Sequence, residues 1–109
     1  MSKRFDVTTE YETYKDCYFI LDRYMEDNSV YLAIWNDEDG PIADLTRCLG
    51  LAEDGYGYLD MNNCPWAANL VKELEIAKDT GMTQRSGYCI YPLYEFDIDK
   101  VNEYVKEVA

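Results

Sequence analysis

Histidine is absent from this 109-residue sequence. That removes the commonest general base, the usual partner of a Ser or Cys nucleophile, and the commonest metal ligand. Basic residues are also scarce: ten Lys and Arg stand against 22 Asp and Glu, giving a formal charge of −12. Such a surface repels nucleic acid and anionic membranes as direct partners and favours basic ones. No run of about 18 apolar residues occurs, so no transmembrane helix is expected. The N-terminus, Met1-Ser2-Lys3-Arg4 followed at once by Phe5-Asp6, has neither an apolar core nor a small-residue cleavage site. It is not a secretory signal, and the expected location is cytoplasmic. The four cysteines, Cys17, Cys48, Cys64 and Cys89, form no CxxC pair, which excludes the zinc signatures built from paired Cys or His. They read as buried free thiols, with a redox pair of Cys17 and Cys48 as the alternative. The phosphate-binding patterns GxxxxGK[ST] and GxGxxG are missing, and Gly55-Tyr56-Gly57 is too short to cradle a phosphate.

Apolar residues are plentiful. At 48% hydrophobic and 15% aromatic, the chain can offset its ordering entropy despite 29% charged residues. Its length fits a single domain, 1–109. Residues 17–49 read as a three-stranded antiparallel meander. From Cys17 to Met25 apolar residues occupy both parities, as in a strand covered on both faces. Glu26-Asp27-Asn28-Ser29 is a hairpin connection, Val30 to Trp35 the second strand, and Asn36-Asp37-Glu38-Asp39-Gly40-Pro41 a turn. Residues 42–49 complete the meander. Residues 1–14 are either an edge strand or a loosely docked arm.

Gly50 to Gly57 reads as a loop and Tyr58-Leu59-Asp60-Met61 as a short strand. Trp66, Ala67, Leu70, Val71, Leu74 and Ala77 then fall at helical spacing. They predict a helix over 64–79, with Asn63 as N-cap and Gly81 as left-handed C-cap. A loop over 83–87 leads to a strand over 88–95, where Pro92 marks an edge or a bulge. Asp97 caps a last helix, 98–107. The expected fold class is α+β: an antiparallel sheet of about four strands, 17–49 plus 88–95, with two helices on one face.

Charge is concentrated in the first half. Between Glu26 and Asp60 there are nine acids and one base, Arg47. The candidate partner-binding residues are Glu26, Asp27, Asp37, Glu38, Asp39, Glu53, Asp54 and Asp60. The first two groups project from opposite ends of one strand, about 20 Å apart for six residues. Carboxylates held at fixed separations imitate phosphates toward a channel rich in Lys and Arg. The alternative is a non-enzymatic housekeeping interaction protein whose acidity serves solubility only. Asp37-Glu38-Asp39-Gly40 looks like a piece of a calcium loop, but strands flank it and the remaining ligand positions are missing, so turn chemistry explains it. No catalytic residues, no metal site and no cofactor are expected. Six tyrosines fall on strand positions, Tyr18, Tyr24, Tyr31, Tyr88, Tyr91 and Tyr94. They form either a half-covered sheet face or an aromatic and acidic binding face.

Three segments carry a resemblance: Tyr31-Leu32-Ala33-Ile34-Trp35, Tyr58-Leu59-Asp60-Met61-Asn62-Asn63-Cys64-Pro65 and Tyr91-Pro92-Leu93-Tyr94-Glu95-Phe96. They are similar to segments of small acidic proteins of unknown function carried by mobile genetic elements of gut bacteria. Some proteins of that kind are anti-restriction or anti-CRISPR factors, including Cas9 inhibitors. The resemblance brings no catalytic residues. It implies as partner a basic surface of an RNA-guided nuclease, in the channel that holds the guide–target duplex or displaced strand.

Overall fold

The β-branched and aromatic runs between residues 13 and 36 form the meander that their pattern predicts. The computed structural model describes residues 2–106. Within them the order is β1 (Phe5–Thr8), β2 (Thr13–Arg23), β3 (Val30–Asn36), β4 (Gly40–Asp44), β5 (Thr46–Arg47), β6 (Tyr56–Leu59), α1 (Ala67–Glu73), β7 (Ala77–Ser86), β8 (Cys89–Phe96) and α2 (Ile98–Asn102). The class is α+β. The strands make two four-stranded antiparallel sheets, ordered β1-β2-β3-β4 and β5-β6-β8-β7, rather than one.

The expected third strand, 42–49, divides at Leu45. Its first half pairs with β3, Ala33 opposite Asp44, and its second half pairs with β6, Thr46 opposite Leu59. Leu45 is fully buried at the corner, donating its N–H to Leu32 O at 2.8 Å and accepting from Asp60 N at 2.8 Å. A strand that bends and changes sheet in this way closes two sheets around one core. That core draws on both sheets and both helices: Phe19, Leu32 and Ile34 from the first sheet, Leu59, Tyr94 and Phe96 from the second, with Leu70, Val71 and Val101. Gly57 lies where β6 crosses β3. A Cβ there would stand 3.3 Å from the Val30 carbonyl oxygen and 3.3 Å from the Phe96 ring.

Of the segment 1–14, Phe5–Thr8 form an edge strand, not a loose arm; residue 1 lies outside the described residues. Phe5 pairs with Cys17 across β2 and stacks on Phe19, ring centroids 4.6 Å apart. Beyond β1, the segment after α2 takes its place beside β2: Phe19 N donates to Tyr104 O at 2.9 Å, and Tyr104 packs edge-on against Phe5 and Phe19.

The helix expected over 64–79 is shorter. Residues 61–63 and 65–66 are turns, and Asn63 is not the cap: its N–H and side-chain amide donate to the Asp60 carboxylate, while Trp66 takes the N-cap position. At the other end the reversal comes at Glu75, in the left-handed region at φ 57°. Ile76 N bonds to Val71 O and Glu75 N to Lys72 O, a Schellman closure with Ile76 and Val71 both buried. The chain then runs as β7, where helix and loop were expected. Long-range pairing with β8 overrides local helical preference. Gly81 serves a bulge in β7 between Asp79 and Thr83, opposite Pro92, which is the irregularity Pro92 signals. Gly87 and Tyr88 close the hairpin, with positive φ at Gly87 alone, as a type II′ turn requires.

Asp97 caps α2 as expected, its carboxylate accepting from Lys100 N at 3.2 Å. The helix covers Ile98–Asn102 and gives way to a turn; residue 107, the last of the expected helix, lies outside the described residues. α1 leads directly into β7 and lines a cavity with Asp6, Val7 and Thr8 of β1, and α2 lies against β2. Among the described residues no helix is long and apolar enough to cross a membrane.

Candidate functional site

The eight candidate carboxylates fall into three places. The β2–β3 turn and the loop over residues 48–55 meet at one end of β3, bringing Glu26, Asp27, Glu53 and Asp54 together. Asp27 makes the join: its carboxylate accepts from Ser29 N at 2.9 Å and from Ala52 N at 3.1 Å. Burial raises the pKa of Asp27, but the hydrogen bonds from Ser29 and Ala52 outweigh it and hold the carboxyl below its ordinary value. Asp54 is bound to Arg23 Nε at 2.6 Å. The Glu26 carboxylate accepts from the Cys48 thiol at 3.5 Å, and no cation lies within 4 Å of Glu26 or Glu53 among the described residues.

The β3–β4 turn, at the other end of β3, holds Asp37, Glu38 and Asp39. Asp39 is part of the turn itself, its N–H donating to Asn36 Oδ1 at 2.6 Å and its carboxylate accepting from Asn36 Nδ2 at 3.1 Å. Asp37 receives Lys106 Nζ at 2.7 Å and Arg4 Nη1 at 3.8 Å. The Lys106 ammonium holds the Asp37 carboxyl below its usual range. Among the described residues, Glu38 alone is without a side-chain partner at this end. The turn is therefore anchored to both chain-terminal segments.

Asp60 joins neither group. It is only 5% exposed, and its two carboxylate oxygens accept from the backbone and side-chain amides of Asn63 at 3.2 and 2.9 Å. It lines an open polar cavity of about 550 Å3 with Tyr24, Asp44, Thr46 and Arg47. The Tyr24 hydroxyl donates to Thr46 O at 2.9 Å and the Tyr31 hydroxyl to Asp44 Oδ1 at 3.1 Å, while Arg47 lies over the Tyr91 ring, 5.5 Å from its centroid. Asp44 and Arg47 were not among the candidates. Arg47, as the one base in the acid-rich stretch, was the only signal that this corner differs. The tyrosines divide: Tyr18, Tyr91 and Tyr94 are buried, Tyr24 and Tyr31 half-buried, and Tyr88 fully exposed on the hairpin turn.

The four cysteines are free thiols, so the pair of Cys17 and Cys48 does not form. Cys17 and Cys64 are buried and Cys48 and Cys89 half-buried; burial pushes the thiols of Cys17 and Cys64 up to about 11, where they are poor nucleophiles at neutral pH. Among the described residues no group of three Cys, Asp or Glu side chains is placed to hold a metal ion.

Comparison with curated proteins and with solved structures finds no match. One family does match, over residues 18–109, from β2 to the end of the chain, and the protein belongs to it: the family described as Domain of unknown function (DUF4313).

Proposed function

We propose that the protein is a non-catalytic binder of a basic macromolecular surface, and that in its sharpest form it inhibits a host defence nuclease, of the RNA-guided or restriction type, by occupying the surface that normally holds nucleic acid. The observation that carries this reading is the set of carboxylates at the two ends of β3 that meet no cation among the described residues: Glu26 and Glu53 at one end and Glu38 at the other. β3 is central in its sheet and rigidly paired on both sides. The spacing of these charges is therefore fixed, at about 20 Å along seven residues of strand. A partner that supplies Lys and Arg at that spacing gains on-rate and specificity from long-range attraction. Its site of action is the cytoplasm.

The test is binding to Cas9, with and without guide RNA, at low and at raised salt, using the wild-type chain and the triple variant Glu26→Lys/Glu38→Lys/Glu53→Lys. Among the described residues these three side chains hold neither a backbone amide nor an ion pair, and Glu26 accepts only from the Cys48 thiol, so the native fold, checked by its circular dichroism spectrum, is expected to be retained. Expected is wild-type binding that weakens with salt and is lost in the triple variant. Binding that is absent under all conditions, or that ignores both salt and charge reversal, sinks the nuclease reading and leaves the acidity to solubility.

A further inference from the structure

An apolar groove opens beside the free carboxylates of the Glu26 end. It has a volume of about 280 Å3 and is lined by Leu51, Ala52, Glu53, Tyr56, Met82 and Leu93. Leu51 is 60% and Met82 64% exposed, so two large apolar side chains stand open on either side of it. Both are held there. On the hairpin side, the bulge of β7 is fixed by Gly81 N donating to Asp79 Oδ1 at 2.9 Å, Met82 N donating to Thr80 Oγ1 at 3.1 Å, and Thr80 Oγ1 donating to Leu93 O at 2.8 Å. On the loop side, Ala52 N is bound by Asp27, next to Leu51. The bulge thus has a use beyond relieving Pro92: it turns Met82 toward the loop.

The lining of the groove contains a carboxylate, Glu53, and no cation. Glu26 approaches Gly50, the residue before Leu51, to 3.3 Å of where a Cβ would stand. Tyr56 donates its hydroxyl to Glu95 at 3.0 Å. A recessed apolar centre inside a charged rim is the usual layout of a protein interface, in which one desolvated side chain supplies much of the affinity.

We propose that this groove is the anchor of the acidic surface and takes one apolar side chain from a basic partner segment, with Lys or Arg on either side of that residue reaching Glu26 and Glu53. The inference rests on the reading of the acidic surface as a binding surface and names where on it the partner sits. A second copy of the chain is a poorer occupant, because each brings a charge of −12.

Two synthetic peptides test it, both short and rich in Lys and Arg, identical except for a central Leu or Gly, each titrated into the full-length isotope-labelled chain by NMR. The Leu peptide is expected to bind about tenfold more tightly, the effect of burying one Leu side chain. Its shifts centre on Leu51, Ala52, Met82 and Leu93. The double variant Leu51→Lys/Met82→Lys, whose two sites are exposed, keeps the native spectrum elsewhere and loses the difference between the peptides. Equal affinity for the two peptides overturns the groove while leaving the basic-partner reading intact. Sedimentation that shows a concentration-dependent dimer, dissolved by Met82→Lys, also overturns it by giving the groove to a second copy. No binding of either peptide at low salt overturns it too, and the acidic surface is then judged on the nuclease experiment alone.

Discussion

The sheet β1–β4 and the hairpin β7–β8 treat charge in opposite ways. Each of the five ion pairs among the described residues has a member in or beside the first sheet: Lys3–Glu103, Arg4–Asp37, Lys15–Asp6, Arg23–Asp54 and Lys106–Asp37. None includes Arg47, Lys78 or Arg85 of the second sheet. The hairpin contains no acid between Thr80 and Tyr94, in a chain with 22. β7 buries almost nothing, whereas β3 is buried along most of its length. Net charge is therefore a poor description of this surface. Acids gather where strands are rigid and cations answer only some of them; where acids are missing, apolar side chains stay open instead.

If the sheets share one core, damage at their junction should exceed damage in either alone. Leu45→Ala removes a fully buried side chain at the corner where the chain passes from β4 to β5. The expected loss is about 3 kcal/mol in urea unfolding, with a single transition retained. Two separated transitions would show that the sheets unfold independently. Gly57→Ala strikes the same junction from the other side, since the new methyl group meets the Val30 carbonyl and the Phe96 ring, both at 3.3 Å. Overpacking there is expected to cost about 2 kcal/mol, and an unchanged midpoint would mean that β6 can move off β3.

Asp27 sharpens the comparison at the acidic end. It joins the β2–β3 turn to Ala52, so Asp27→Asn is expected to destabilise by about 1 kcal/mol at pH 7. The folded-state pKa of Asp27 is lowered, so its carboxylate stabilises the fold at pH values above the unfolded pKa. That contribution disappears as pH falls through the folded value, below about pH 4. The gap between wild type and variant should therefore close in acid unfolding curves. A gap that persists at low pH would show that the amide itself is misplaced and that ionisation is not the cause.

Sequence pattern revealed the meander, the acidic turns and the cap at Asp97, because each rests on neighbours within a few residues. It overran at α1, where Ala77 continues the helical stripe of Leu70, Val71 and Leu74 although the chain has already reversed. The reversal was hidden because a Glu, not a Gly, occupies the left-handed position. Glu75→Gly is expected to raise stability by about 1 kcal/mol, since glycine adopts that conformation without the Cβ clash. A lower unfolding midpoint would mean that the Glu75 side chain contributes more than the strain it causes. Division of the acids into bound and free was equally hidden. Asp37 meets Lys106 across 69 positions and Arg23 meets Asp54 across 31, distances over which local pattern carries no information.

The smallest effects are expected at the hairpin tip. Tyr88 is fully exposed and Ile90 more than half so. Tyr88→Ala and Ile90→Ala should change unfolding free energy by no more than about 0.5 kcal/mol, against about 3 for Leu45→Ala. Native-state hydrogen exchange gives the same contrast without mutation. Residues 83–90, the tip of the hairpin, are mostly exposed, and local opening there exposes little apolar surface. The amides of Leu32 and Ile34 are released only when the shared core opens. Exchange at 83–90 should thus run through local opening and precede that of β3. If instead both regions exchange together at the global rate, something covers the hairpin, and Met82, Tyr88 and Ile90 are then buried against it in solution.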